Sequence, residues 1–294
     1  MNDPLLIPLP GNDGLARGLA AEMGLEAGAI EGRCFPDGES YLRYGAPVAG
    51  RPVVLVATLD RPNTKFLPLA FAAATARELG ATSVGLVAPY LGYMRQDHRF
   101  KDGEAVTSVH FGRLLSGEVD WLVTVDPHLH RRSSLDEIYS IPTRIVRSAP
   151  AVAHWLAANV ERPLLIGPDA ESEQWVAEVG RLADVPHLVL EKTRHGDRDV
   201  EITPPDRTLM EGRTPVLFDD IISTGQTLVR TLEYLRGGVP PVCMAVHAVF
   251  ADKAYADLHA AGAASIVTTN TIPHATNAID IVPAIAEALS AADF

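Results

Sequence analysis

Cysteine is nearly absent: Cys34 and Cys243 are the only two in 294 residues. A disulfide framework is excluded, their separation excludes zinc-finger spacing, and a reducing compartment is the expected setting. Long apolar runs are missing as well. The opening MNDPLLIPLPGNDG has neither the basic start nor the apolar stretch of a secretory signal, so no membrane partner is expected. Basic residues are outnumbered, with 25 lysines and arginines against 37 carboxylates and a formal net charge of −12. A chain this acidic lacks the broad basic surface that nucleic-acid phosphates require, so no nucleic-acid partner is expected. Small anionic ligands stay open wherever a few cations gather. These exclusions leave a soluble, cytoplasmic protein, long enough for two cores of ordinary size.

What is present is regular alternation. Short apolar runs, VVLVA from Val53, VGLVAPY from Val84, WLVTVD from Trp121, LLIGPD from Leu164, PVLFDD from Pro215, VCMAVHAVF from Val242 and SIVTTN from Ser265, read as strands. Between them lie segments of helical period, including FLPLAFAAATARELG, ESEQWVAEVGRLA, LVRTLEYLRGG and DKAYADLHAAG, several of them closed by glycine. Near-continuous apolar strands alternating with helices imply an α/β protein with mostly parallel sheets covered on both faces. Sliding the chain by 162 positions sets VLVATLDRPNTKFL, from Val54, on VLFDDIISTGQTL, from Val216. Ala57 and Thr58 then stand where Asp219 and Asp220 stand. Two copies of one α/β unit would produce this echo, and so would the generic likeness of strand-loop-helix units. The expected boundary gives halves of 1–147 and 148–294, divided before the helix VAHWLAANV.

VLFDDIISTGQTL concentrates the chemistry. In a parallel sheet, ligands sit beyond the carboxyl ends of the strands, where Asp219 and Asp220 fall. The loop Ser223, Thr224, Gly225, Gln226, Thr227 then opens a helix with apolar positions at Leu228, Leu232 and Leu235, so its free N–H groups suit a phosphate. Two carboxylates would repel a phosphate unless they address sugar hydroxyls or a divalent cation. A phosphorylated sugar satisfies both parts of the loop. Helix capping by Asp, Ser and Thr explains any one of these residues alone, but not the full run.

The stretch closely resembles the 5-phosphoribosyl 1-diphosphate (PRPP) loop of type I phosphoribosyltransferases and of PRPP synthetases, the ribose-phosphate diphosphokinases. CFPDGESYLR, APYLGYMRQDHRFKDGEAVTS, VDPHLH, GPDAE and LEKTRHG resemble further synthetase motifs in synthetase order, covering residues 8–271. Plain phosphoribosyltransferases lack the N-terminal set. The resemblance implies two tandem phosphoribosyltransferase-like domains, each a mostly parallel sheet flanked by helices. It also implies transfer of the β,γ-diphosphoryl group of Mg-ATP to the 1-hydroxyl of ribose 5-phosphate, giving PRPP and AMP.

Each motif has an ordinary reading and an implied one. FPDGESYLR reads as a hairpin turn; by resemblance Phe35 stacks on adenine while Asp37 and Glu39 contact ATP across a subunit interface, which implies a homo-oligomer. YMRQDHRFK reads as an exposed charged loop, although bidentate arginine suits phosphate; by resemblance Arg95, Gln96 and Asp97 belong to the ATP site. VDPHLH offers a His-x-His pair with no further zinc ligands nearby. The resemblance points to His128, ahead of His130, as a magnesium residue and to Asp169 in GPDAE as the second ligand. Lys192 and Arg194 alternate on one side of an extended segment, where charge commonly protects a strand edge. The resemblance makes them catalytic cations on a loop, running on through HGDRD, that closes over the reacting phosphates. Asp219, Asp220 and Ser223 through Thr227 would hold ribose 5-phosphate.

Two segments depart from the family pattern. ESEQW places Glu171, Glu173 and Trp175 where a glycine-rich, lysine-containing sequence is usual, adding negative charge near a pyrophosphate. DGEAVTS replaces the regulatory loop of allosteric bacterial members and looks closer to the archaeal type. Two competing functions follow. One is a catalytically weak paralogue that associates with an active synthetase, and the other is a PRPP-dependent phosphoribosyltransferase or PRPP-sensing regulator.

Overall fold

The computed structural model describes residues 3–190, 192–194, 200–202 and 207–291, with backbone alone at 192–194, 200–202 and 207. The chain divides into two compact units, Met1–Arg147 with Val282–Phe294, and Ser148–Ile281.

The first unit begins with β1 (Leu5–Pro8), α1 (Asp13–Met23) and β2 (Glu26–Ala27). A hairpin of β3 (Ile30–Cys34) and β4 (Ser40–Tyr44) follows, then β5 (Pro52–Val56), α2 (Pro62–Glu78), β6 (Ser83–Ala88), α3 (Thr107–Glu118), β7 (Trp121–Val125) and β8 (Thr143–Val146). Its six-stranded sheet runs β2-β1-β5-β6-β7-β8, every pair parallel.

The second unit holds α4 (Ala149–Asn159), β9 (Pro163–Gly167), α5 (Glu173–Ala183), β10 (His187–Val189), β11 (Lys192–Arg194), β12 (Val200–Ile202), α6 (Arg207–Met210) and β13 (Thr214–Ile221). It continues with α7 (Gln226–Tyr234), β14 (Val242–His247), α8 (Ala254–Ala261), β15 (Ser265–Thr269) and β16 (Asn277–Ile279), before α9 (Val282–Ser290). Its sheet runs β10-β9-β13-β14-β15-β16, again parallel throughout.

Numbered within each sheet, both orders read second, first, third, fourth, fifth, sixth. Each unit also inserts an antiparallel hairpin, β3 with β4 or β11 with β12, between its second and third sheet strands. Unrelated strand orders would have ended the duplication hypothesis; the orders coincide. In both sheets the direction of winding reverses between the first and third strands, the place where open α/β sheets bind ligands.

The strands form where the apolar runs predict, because parallel strands covered on both faces need continuous apolar sequence. Leu5, Leu55, Leu86 and Leu122 are fully buried in the first core, and Leu164, Ile166, Leu217 and Cys243 in the second. Each such leucine or isoleucine contributes roughly 1.5–3 kcal/mol. The expected second half ran to residue 294, but α9 groups with the first unit. It packs on α1 and against β7 and β8, with Val282 set against the backbone of Gly18. Among the described residues, no helix is long and apolar enough to cross a membrane.

Candidate active site

In the second unit, β13 lies between β9 and β14, buried from Pro215 to Phe218. At its carboxyl end Asp220 is buried and Asp219 half-buried, and the Asp220 N–H donates to Asp219 Oδ1 at 3.0 Å. Beyond them the loop is tethered to the exit of β14. Ile222 N–H donates to His247 O (3.2 Å), Phe250 N–H to Ile222 O (2.9 Å) and Ala251 N–H to Ser223 O (3.1 Å). Helix α7 opens at Gln226 with Gly225 as its N-cap at φ 67°, a left-handed conformation that a side chain disfavours. Leu228 and Leu232 bury the other side of the helix, leaving the first-turn N–H groups without intrahelical acceptors. Ser223 to Thr227 therefore set hydroxyls and a helix start beside two carboxylates, an arrangement suited to an anion.

Asp169 joins them from the end of the adjacent strand β9. Its carbonyl accepts from Ser172 Oγ at 2.6 Å and from Ser172 N–H at 3.1 Å, closing a tight turn. Gly167 makes room for it, since a Cβ there would stand 2.4 Å from Ser172 Oγ. Burial, then the charges of Asp220 and Asp169, push the Asp219 carboxyl well above the usual carboxylate range. A cation or hydrogen-bond donors beside Asp219 would offset that repulsion. Hard oxygen donors of this kind suit magnesium, and hydroxyl-bearing sugars suit them equally.

ESEQW resolves into helix chemistry. Ala170–Ser172 is a 3-10 turn, Glu173 begins α5, and Trp175 is buried as its anchor. Glu171 and Glu173 are exposed, and Glu173 lies in the first turn, where the helix dipole favours negative charge.

The first unit holds the other candidates in two groups. Phe35, Asp37 and Glu39 occupy the exposed tip of the β3–β4 hairpin, where Phe35 N–H donates to Glu39 O and Glu39 N–H to Asp37 Oδ1. The Arg33 guanidinium lies 4.6 Å from the Phe35 ring centroid and 4.3 Å from that of Tyr41. In the second group, Arg95 is exposed, Gln96 accepts from the Thr107 hydroxyl at 3.1 Å, and Asp97 is buried. Asp97 is engaged by Arg131 at 3.2 and 3.4 Å, by His98 at 2.9 Å and, through its carbonyl, by Arg132 at 3.3 Å. Burial alone would raise its carboxyl, but the His98 bond and the Arg131 charge together outweigh it and hold the group below its ordinary value.

Those bonds bring the segment Arg95–Asp97 against His128–Arg132. His128 and His130 follow β7 with Nδ1 and Nε2 3.0 Å apart. Arg131 and Arg132, which clamp this segment, were missed in the motif reading, although two consecutive cations directly after VDPHLH were a signal for carboxylate partners. Lys192 and Arg194 lie on β11, paired with Ile202 and Val200 of β12. Their side chains, and residues 195–199, lie outside the described residues.

A family profile described as the N-terminal domain of ribose phosphate pyrophosphokinase matches residues 5–117, and one for the phosphoribosyl transferase domain matches 134–281. The ribose-phosphate pyrophosphokinase of Methanopyrus kandleri is 35% identical over 280 residues, covering 94% of each chain. The chain belongs to the ribose-phosphate pyrophosphokinase family. Proteins of that name from Sulfurisphaera tokodaii and Halobacterium salinarum are each 31% identical, covering 87% and 97% of this chain and 90% and 100% of theirs. The fold matches the crystal structure of phosphoribosylpyrophosphate synthetase from Mycobacterium smegmatis with a TM-score of 0.82 at 23% identity, over 99% of this chain and 98% of that one. In this family the two parallel sheets are two phosphoribosyltransferase-type domains, and the relatives named here from curated proteins are archaeal, in keeping with DGEAVTS.

Proposed function

We infer that the chain is a ribose-phosphate diphosphokinase, moving the β,γ-diphosphoryl group of ATP to the 1-hydroxyl of ribose 5-phosphate with release of AMP. The observation that carries this reading is the joined carboxylate pair and anion cradle at the end of β13, in a chain of this family. The sugar phosphate rests on the N–H groups and hydroxyls from Ser223 to Thr227, and Asp219 and Asp220 accept from its 2- and 3-hydroxyls. That arrangement fixes the 1-hydroxyl for attack on the β-phosphorus, and positioning of this kind supplies much of the rate. As the bond to the α-phosphate oxygen breaks, charge develops on the transferring group, and Lys192 and Arg194 are assigned to neutralise it.

Arg95 and Gln96 are assigned to ATP, while Asp97, clamped by Arg131 and His98, holds their segment in place. Bound magnesium would screen the polyphosphate and polarise its oxygens. Asp169 is the carboxylate assigned to that ion in the second unit, and His128 the imidazole in the first. Phe35, Asp37 and Glu39, exposed at the hairpin tip, are assigned to the nucleotide of a neighbouring copy, which makes the working form a homo-oligomer. A cytoplasmic setting, where ATP and ribose 5-phosphate occur, fits this activity.

The test is incubation of the purified protein with ATP, magnesium and ribose 5-phosphate, following AMP and PRPP together by chromatography. Equimolar appearance of both, abolished when ribose 5-phosphate is omitted, is expected. Failure of either product to form would overturn the reading.

A further inference from the structure

The β3–β4 hairpin has two unlike faces, because strand residues alternate sides and cross-strand partners share one. Ile30, Leu42 and Tyr44 pack on the first core, which leaves Glu31, Arg33 and Phe35, with Tyr41 and Arg43 across from them, on the outer face. Glu31 is taken by Arg43 at 3.1 Å, whereas no carboxylate engages Arg33 among the described residues. The Arg33 guanidinium lies instead over two rings, 4.6 Å from the Phe35 centroid and 4.3 Å from that of Tyr41. The rings themselves meet edge to face, with centroids 6.3 Å apart.

These contacts bear on a residue already assigned to the nucleotide. The Phe35 backbone is fixed by the turn, its N–H donating to Glu39 O at 2.8 Å and its carbonyl accepting from Gly38 N–H at 2.9 Å. The side chain is 40% exposed at the tip, so core packing alone does not fix its rotamer. Arg33 covers one face of the ring and Tyr41 abuts it. We propose that Arg33 is a positioning residue for the diphosphokinase reaction, clamping the Phe35 ring so that its other face meets the base of ATP. This rests on the assignment of Phe35 to the nucleotide and names what orients that ring. A ring held in one rotamer before binding removes the entropy of ordering it in the complex.

A double-mutant cycle on the full-length protein tests it, read as KM for ATP in the coupled formation of AMP and PRPP. Phe35→Leu should raise that KM about tenfold, the loss of one base stack. Arg33→Met, which keeps a long stem and removes the cation, should raise it about three- to fivefold, while KM for ribose 5-phosphate and turnover at saturating ATP stay put. Arg33→Lys should fall between, since an ammonium lacks the planar group that stacks on both rings. In the Phe35→Leu background Arg33→Met should add nothing. An unchanged KM in Arg33→Met alone would overturn the proposal. So would the full rise in the Phe35→Leu background, because Arg33 would then act on the phosphates by charge and not through the ring. A parallel rise in KM for ribose 5-phosphate would overturn it as well, marking a general loss of structure. An unchanged KM in Phe35→Leu would instead overturn the assignment of Phe35 to the nucleotide, and the proposal with it.

Discussion

The two units share one strand order and one hairpin insertion, yet only one carries a carboxylate pair at the end of its third strand. After β13 the chain reads two aspartates, a serine-threonine-glycine turn and the start of a helix. After β5 it reads Ala57 and Thr58, and a lysine ammonium turns back onto the loop that would otherwise receive a ligand. Both helices begin after a left-handed residue, Gly225 at φ 67° in one unit and Arg61 at φ 56° in the other. The turn is therefore a requirement of the fold. The carboxylate pair, in contrast, stands in one unit only.

The comparison is most easily broken at the carboxylates. Asp219→Asn with Asp220→Asn should lower kcat/KM for ribose 5-phosphate by about 100-fold or more, if two charged acceptors to the sugar become weaker neutral amides. At the matched site in the first unit, Thr58→Val should leave turnover unchanged and raise stability by up to about 1 kcal/mol, because the Thr58 hydroxyl is buried without a hydrogen-bond partner among the described residues. Steady-state kinetics and denaturant titration measure the two effects.

The left-handed caps sharpen it further. Gly225→Val should cost about 1–2 kcal/mol of stability and raise the KM for ribose 5-phosphate, as the new side chain would meet Leu258 as well as a disfavoured φ. Arg61→Gly should move stability the other way by about 1 kcal/mol or less and leave the KM unchanged.

Asp97→Asn tests the clamp in the first unit. The expected loss at neutral pH is about 1–3 kcal/mol, toward the lower figure because Arg131 is partly solvated. The folded-state carboxyl lies below its ordinary value, so its contribution is present above the unfolded pKa of about 3.9 and disappears as pH falls through the folded value. Urea midpoints of the two proteins should converge at acid pH. The smallest effect concerns the cysteines: exposed Cys34 should react with iodoacetamide in the native protein. Buried Cys243, whose thiol is pushed up to about 12, should not react until the chain unfolds.

Much of the second-unit site could be read in advance because its residues are neighbours in sequence. Asp219 to Thr227 are one strand end and one helix start, and local rules describe both. The Asp97–Arg131 clamp was illegible because 34 residues separate its partners and only the sheet brings them together. The seven long apolar strands announced themselves, whereas Leu5–Pro8, Thr143–Val146 and the two- or three-residue strands β2, β10 and β16 are too short for any period to register. The docking of α9 on α1 was equally hidden, since its apolar face is compatible with either core. ESEQW was legible as the start of a helical segment, whereas the burial of its tryptophan and the exposure of its glutamates were not.

The central claim is that one unit binds the pentose phosphate and its twin does not. Equilibrium titration of the purified protein with radiolabelled ribose 5-phosphate tests it most directly. One molecule should bind per chain, and none in the Asp219→Asn, Asp220→Asn variant. Two molecules per chain, or one that persists in that variant, would contradict the account.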